Sequence, residues 1–266
     1  MRAALVFCAA AALLAGGPPA ASGAPLDADA VLAASRAAIG SQPDGTVAFT
    51  DTAGKRVTLA AYRGKPLVVS FVYTGCSQVC PTTTQFLVKA VAQARAVVGK
   101  DAFHVASIGF NIPSDNPLSM KLFARQHGAD EPRWSFLTPD PGGPPRIARD
   151  FGFSYQAAAG GFEHLTQVTI LDAEGRVYAQ VTGESFELPM LIQPLRELAL
   201  GEPVAARSFS AVVDRVRLLC TVYDPLSGKY RLDYRLFIEL AVGFTVLGLL
   251  LAFLLREYRR SRRRPC

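Results

Sequence analysis

From about residue 45 to residue 201, short apolar runs alternate with amphipathic stretches, the pattern of an α/β domain. Residues 47–50 and 55–59 predict a hairpin about the turn Asp51-Thr52-Ala53-Gly54. Residues 66–73 (PLVVSFVY) form a continuous apolar run without polar alternation, which predicts a central strand covered on both faces. Helical spacing follows at 83–98, a second strand at 102–108, and a helix at 117–127 that opens with Pro117 in its first turn. Beyond a short apolar run at 134–137 come a short helix near 145–151 and a hairpin of 167–171 with 176–181 around Asp172-Ala173-Glu174-Gly175. A last helix, 188–200, stops at Gly201.

The mean hydropathy of +0.22 is high for a soluble chain, and the excess lies at the two ends. Residues 1–24 carry one positive charge at Arg2, then an apolar run, then small residues, which is the layout of a cleaved secretory signal. Cys8 leaves with it. Residues 236–255 (LFIELAVGFTVLGLLLAFLL) contain one charge, Glu239, and as a helix would extend about 30 Å, the thickness of a hydrocarbon core. Tyr234 and Tyr258 stand at interface positions, and the arginine-rich tail 256–266 marks the cytoplasmic side. Glu239 lies about one turn inside the outer boundary, where it is expected to snorkel to the headgroups. The chain is thus expected to sit in the plasma (inner) membrane by one C-terminal span, with its domain in the periplasmic or extracytoplasmic space. Residues 25–44 read as a flexible segment and 202–235 as a juxtamembrane connector with a turn or short hairpin at Tyr223-Asp224-Pro225. Six arginines and one acid in the tail account for nearly all of the net charge of +6, so the folded part offers no basic surface and no nucleic-acid partner is expected.

Of five cysteines, Cys8, Cys76, Cys80, Cys220 and Cys266, the exported part keeps Cys76, Cys80 and Cys220. Cys76 and Cys80 form a C-x-x-x-C at the carboxyl end of the predicted central strand, where an α/β sheet presents its ligands. A strand, a cysteine motif and a helix, followed by β, α and a hairpin, is a thioredoxin-like order. Residues four apart on a helix have Cβ atoms about 5–6 Å apart, whereas a relaxed disulfide needs about 3.5–4.5 Å. A soft metal bonded to each sulfur at about 2.3 Å, the zinc figure, closes that gap without strain. A helix N-terminus favours thiolate, the form that both metal binding and thiol exchange require. A structural disulfide remains the alternative for such a pair in an exported protein. Of the three histidines, His104 falls within a strand and His127 at a helix C-terminus, both explicable as structural. His164 follows Ala157-Ala158-Ala159-Gly160-Gly161 and precedes a strand, so it is expected on a loop, where functional and ordinary surface residues are equally at home.

Two blocks, 58–66 (TLAAYRGKP) and 71–83 (FVYTGCSQVCPTT), resemble the Sco/SenC family of membrane-anchored copper proteins, and the similarity continues through Asp115-Asn116-Pro117 to His164 and the 172–175 turn. The resemblance covers about residues 45–200. It implies a modified thioredoxin fold in which two cysteines and a distant histidine bind one copper, Cu(I) or Cu(II). Those three residues carry over to Cys76, Cys80 and His164. The implied role is to assist assembly of the binuclear copper centre in cytochrome c oxidase subunit II, or another cupro-oxidase subunit, by copper delivery, thiol reduction or both. Two thiolates and an imidazole suit Cu(I) by softness and can hold Cu(II) with a further ligand. Asn111 departs from the family's usual acid before the D-T-P-like turn, while Asp115 keeps the later one. The C-terminal span replaces the family's usual N-terminal anchor.

The competing reading is an extracytoplasmic thiol–disulfide oxidoreductase in which Cys76 and Cys80 cycle as catalytic residues without metal transfer. A peroxiredoxin-type peroxidase fits less well because P-x-x-x-T-x-x-C is absent around Cys76. A structural module with a cysteine staple would bury a stable disulfide. Cys220 is expected to be inert or structural.

Overall fold

The computed structural model describes residues 26–76, 79–112, 114–158, 161–183, 186–201, 221–224, 229–232 and 235–262. The expected signal peptide over 1–24, Cys8, Cys220 and Cys266 lie outside them.

The central strand is β3, Leu67–Val72, and all six of its side chains are buried. It pairs in parallel with β4, His104–Gly109, and antiparallel with β8, Gln167–Leu171. Burial on both faces is why the run lacks polar alternation, each large apolar side chain contributing about 1.5–3 kcal/mol. Its one polar residue, Ser70, is paired rather than orphaned: Ser70 Oγ lies 2.8 Å from Ser107 Oγ, which also accepts from Trp134 Nε1 at 3.0 Å.

With β1 (Ala48–Asp51), β2 (Arg56–Thr58), β5 (Trp134–Pro139) and β9 (Val177–Thr182), these strands form one seven-stranded sheet in the order β2-β1-β5-β4-β3-β8-β9. Helices α2 (Val79–Val98), α3 (Pro117–Gln126), α4 (Gly143–Phe151) and α5 (Leu188–Gly201) complete the α/β thioredoxin-like domain. α3 starts where Asn116 accepts from the amides of Leu118 and Ser119 at 3.1 and 3.0 Å, with Pro117 at the first helical position.

Two expectations need correcting. Residues 25–44 are not simply a flexible segment: Ala28–Ala37 form helix α1, whose first turn is capped by Asp27 accepting from Asp29 N at 3.0 Å. Its Val31 and Ser35 are buried, and a Cβ at Gly152 would lie 2.4 Å from the Ala34 carbonyl oxygen, so α1 rests on the end of α4. The stretch before His164 is no simple loop either. Strands β6, Tyr155–Ala158, and β7, Gly161–His164, form a separate two-stranded ribbon with Tyr155 opposite His164.

At the C-terminus, β10 (Thr221–Asp224) pairs with β11 (Lys229–Leu232), the expected short hairpin. Arg235–Arg262 form helix α6, with exposed apolar side chains that include Val242, Phe244 and Phe253. The expectation of a membrane span at 236–255 does not find support here: among the described residues no helix is long and apolar enough to cross a membrane.

Candidate metal centre

Beyond β3 the chain runs Tyr73-Thr74-Gly75-Cys76 into α2. The Cys76 amide donates to the Tyr73 carbonyl at 3.1 Å, closing a turn that brings Cys76 back toward the helix mouth. The Cys80 amide, in the first turn of α2, donates to Cys76 Sγ at 3.3 Å. Both cysteines are thiols, so the staple reading finds no disulfide here. Cys76 is half-buried and Cys80 buried. Burial pushes the Cys80 thiol up to about 12, opposed by a hydrogen bond from the Tyr73 backbone and reinforced by Cys76 and then Asp115. At neutral pH Cys80 therefore keeps its proton until a metal or an oxidising partner takes its place.

The loop is braced by Asp115, whose side chain is fully buried. Its Oδ1 accepts from the Thr74 amide at 2.7 Å and from Thr74 Oγ1 at 2.8 Å, while Oδ2 accepts from the Asn111 amide at 2.8 Å. Burial raises this carboxyl's pKa and the hydrogen bonds oppose the rise. Gly109 is required beside it, because a Cβ there would lie 2.6 Å from Asp115 Cβ. Asn111 thus contributes through its backbone, and Asp115 is the acid that organises the cysteine loop. Neither Asp115 nor Tyr73 was picked out as a site residue by spacing. The only local hint was Asp115 standing directly before the capping Asn116-Pro117.

His164 ends β7 with its ring among aromatic neighbours: the centroids of Phe110, Phe153 and Tyr73 are 5.5, 5.8 and 6.2 Å away. Burial lowers its pKa, with the Leu165 backbone acting in the opposite direction, so the ring is neutral and able to ligate at neutral pH. Its Nδ1 is buried without a hydrogen bond. His164 and Cys80 line the same cavity of about 10 Å³, together with Thr83 and Gln167, whose Oγ1 and Oε1 also lack partners. A guest no larger than a water or a single ion suits that space.

The structure thus brings Cys76, Cys80 and His164 to one end of the sheet, across 83 residues of chain between Cys80 and His164. It does not close them into a ligand set: among the described residues no three His, Cys, Asp or Glu side chains are grouped to hold a metal ion. The donor chemistry suits a soft metal, and the orphaned imidazole nitrogen points the same way. His104 and His127 lie elsewhere. His104 packs edge-on to Tyr62 and His127 caps α3 against Phe123, both structural as expected.

A thioredoxin-like sheet with paired thiols at the end of its central strand defines the class. More specifically, a model of the SCO1/SenC family matches residues 38–199, and the chain belongs to that family. A SCO1 protein homolog of Bacillus subtilis (strain 168) is 27% identical over 92 residues, 34% of this chain and 46% of the relative, so the match spans less than half of that relative's length. Among solved structures, a putative electron transfer protein from Aquifex aeolicus VF5 superposes with a TM-score of 0.56 at 24% identity, covering 63% of this chain and 97% of that one. Arabidopsis thaliana ScoI with copper bound gives 0.52 at 19% identity, covering 60% and 99%. BsSco, described with a disulfide switch and as a member of the Sco family of cytochrome c oxidase assembly proteins, gives 0.54 at 18% identity, covering 61% and 96%. Structural neighbours of this fold thus include Sco proteins holding copper.

Proposed function

We propose that this protein is a membrane-anchored copper carrier that assists assembly of the binuclear copper centre of cytochrome c oxidase subunit II. Copper is its cargo, bound by Cys76, Cys80 and His164. The observation that carries this reading is that the inner thiol and a neutral imidazole with an orphaned Nδ1, from a separate ribbon, line one ion-sized cavity. Family membership and the copper-bound neighbours favour copper over other soft metals.

The chain's own residues supply the handling. The Cys80 amide donates to Cys76 Sγ, and Cys80 itself releases its proton on metal entry. The half-exposed position of Cys76 leaves the site open to a recipient thiol, and a donor needs such an opening. The membrane reading rests on sequence: residues 236–255 of α6 are apolar but for Glu239, and the basic tail follows. The signal peptide at 1–24 then places the domain on the extracytoplasmic side.

A second reading, an extracytoplasmic thiol–disulfide oxidoreductase, is favoured by the position of Cys76 Sγ at the mouth of α2, within reach of the Cys80 amide. Titrating the reduced protein with Cu(I) and Cu(II), alongside His164→Ala, separates the two. Copper binding that collapses in the variant while thiol exchange survives supports the carrier. Thiol exchange with no copper binding by the intact chain supports the oxidoreductase. For the anchor, full-length protein is expected to resist carbonate extraction from membranes, and a chain ending at residue 235 to be released.

A further inference from the structure

Gln167 opens β8 shortly after His164, and it is only 3% exposed. β8 runs antiparallel to β3, and the pairing of Ser70 with Val168 sets Gln167 toward the carboxyl end of β3, where the cysteine loop leaves. Its Nε2 is committed twice, donating to the Phe151 carbonyl at 3.0 Å and to Thr169 Oγ1 at 3.2 Å. Its Oε1 is buried with no hydrogen-bond partner. A buried acceptor left unpaired is costly unless something takes the place of the missing donor.

The same residue lines the cavity of about 10 Å³ shared by Cys80 and His164. Two thiolates and an imidazole satisfy Cu(I), whereas the harder Cu(II) takes a further ligand, and the amide oxygen of a glutamine suits that weaker position. Thr83 Oγ1 also lacks a partner in this cavity, but a hydroxyl rotates to suit its surroundings. The Gln167 oxygen is held in place by the two bonds on its nitrogen.

We propose that Gln167 Oε1 is a fourth ligand for Cu(II) and not for Cu(I), so that the site discriminates between the oxidation states of its cargo. This rests on the copper reading and deepens it. Gln167→Leu removes the oxygen and leaves the fold supported, because the Phe151 carbonyl still accepts from Gln180 Nε2 at 3.0 Å and Thr169 Oγ1 still donates to Gln180 Oε1 at 2.7 Å. Gln167→Glu restores an oxygen but neither N–H bond, so it separates ligation from mere support. Thr83→Val removes a polar group from the cavity without touching the proposed ligand.

Chelator competition on the full-length protein is expected to show Cu(II) affinity about tenfold lower in Gln167→Leu, with Cu(I) affinity within about twofold of wild type. The copper reduction potential then rises by about 59 mV, the one-electron equivalent of tenfold. The thiolate-to-Cu(II) absorption and the Cu(II) hyperfine splitting are expected to change in Gln167→Leu, to return toward wild type in Gln167→Glu together with the affinity, and to stay unchanged in Thr83→Val. Cu(II) affinity within about twofold of wild type in Gln167→Leu, an equal loss for Cu(I), or an equal loss in Gln167→Glu or Thr83→Val would overturn the proposal and leave the copper reading standing. A wild-type chain that takes up neither Cu(I) nor Cu(II) would overturn both.

Discussion

The two halves of the site are built to different standards. The cysteine loop leaves a strand buried on both faces and is fastened by two hydrogen bonds from Thr74 to one buried carboxylate, which also accepts from the Asn111 amide. His164 rides on a two-stranded ribbon outside that sheet, held by stacked and edge-on contacts with the rings of Phe110, Phe153 and Tyr73. An isolated hairpin is marginal on its own, so its position depends on those side-chain contacts. The contrast shows how a protein can keep a thiol pair fixed while leaving the third ligand adjustable, as suits a site that must both take and release its guest.

The largest effect is expected on the braced side. Asp115→Ala leaves the Thr74 amide, the Thr74 hydroxyl and the Asn111 amide without their acceptor, which should cost about 3 kcal/mol or more in a denaturant titration. A loss below about 1 kcal/mol would mean that the loop holds its shape without Asp115, and the contrast between the halves would fail. Next comes His164→Ala, expected to weaken copper binding by about 100-fold in a competition titration while leaving the rate of dithiol oxidation nearly unchanged. Equal loss of both would make His164 a structural part of the thiol site rather than a separate ligand.

Phe162→Ala is expected to cost about 1–2 kcal/mol or less in global unfolding, because Phe162 is only half-buried, yet to raise ribbon amide exchange more than that of any sheet strand. Uniform loss across the domain would show that ribbon and sheet unfold as one. The smallest effect is expected with pH. Burial lowers the pKa of His104, His127 and His164 from the usual 6.5. The folded state therefore binds fewer protons than the unfolded chain below that pH. This share of stability is present above about 6.5 and is lost as the pH falls toward the folded-state values. Denaturant midpoints should fall between pH 7.5 and 5.5, and His164→Gln should remove the ribbon's share of the slope. Asp115, raised by burial, acts with the opposite sign further into the acid range.

Much of the scaffold was readable along the chain. Residues 66–73 gave their strand away because a run with no polar alternation suits only a strand covered on both faces, and Asn116-Pro117 marked the start of α3 by its capping chemistry. Helix α1 had a legible cap in Asp27 but was masked by the alanine-rich leader before it, since composition alone does not separate a helix from a spacer. The β6–β7 ribbon was not readable. Its residues, Tyr-Gln-Ala-Ala and Gly-Phe-Glu-His, carry no β-branched side chain, and their extended state is selected by aromatic packing against Phe110 and Phe153.

The sequence by itself determined that two thiols stand at the end of a buried strand and the mouth of a helix, because strand period, helix spacing and cysteine position are all local. Only the tertiary structure decided that His164 faces the cavity of Cys80 and that Asp115, 41 residues from Thr74, grips the loop between them. Contacts of that span depend on how sheet, helix and ribbon pack together, and packing leaves no mark on the short-range pattern of the chain.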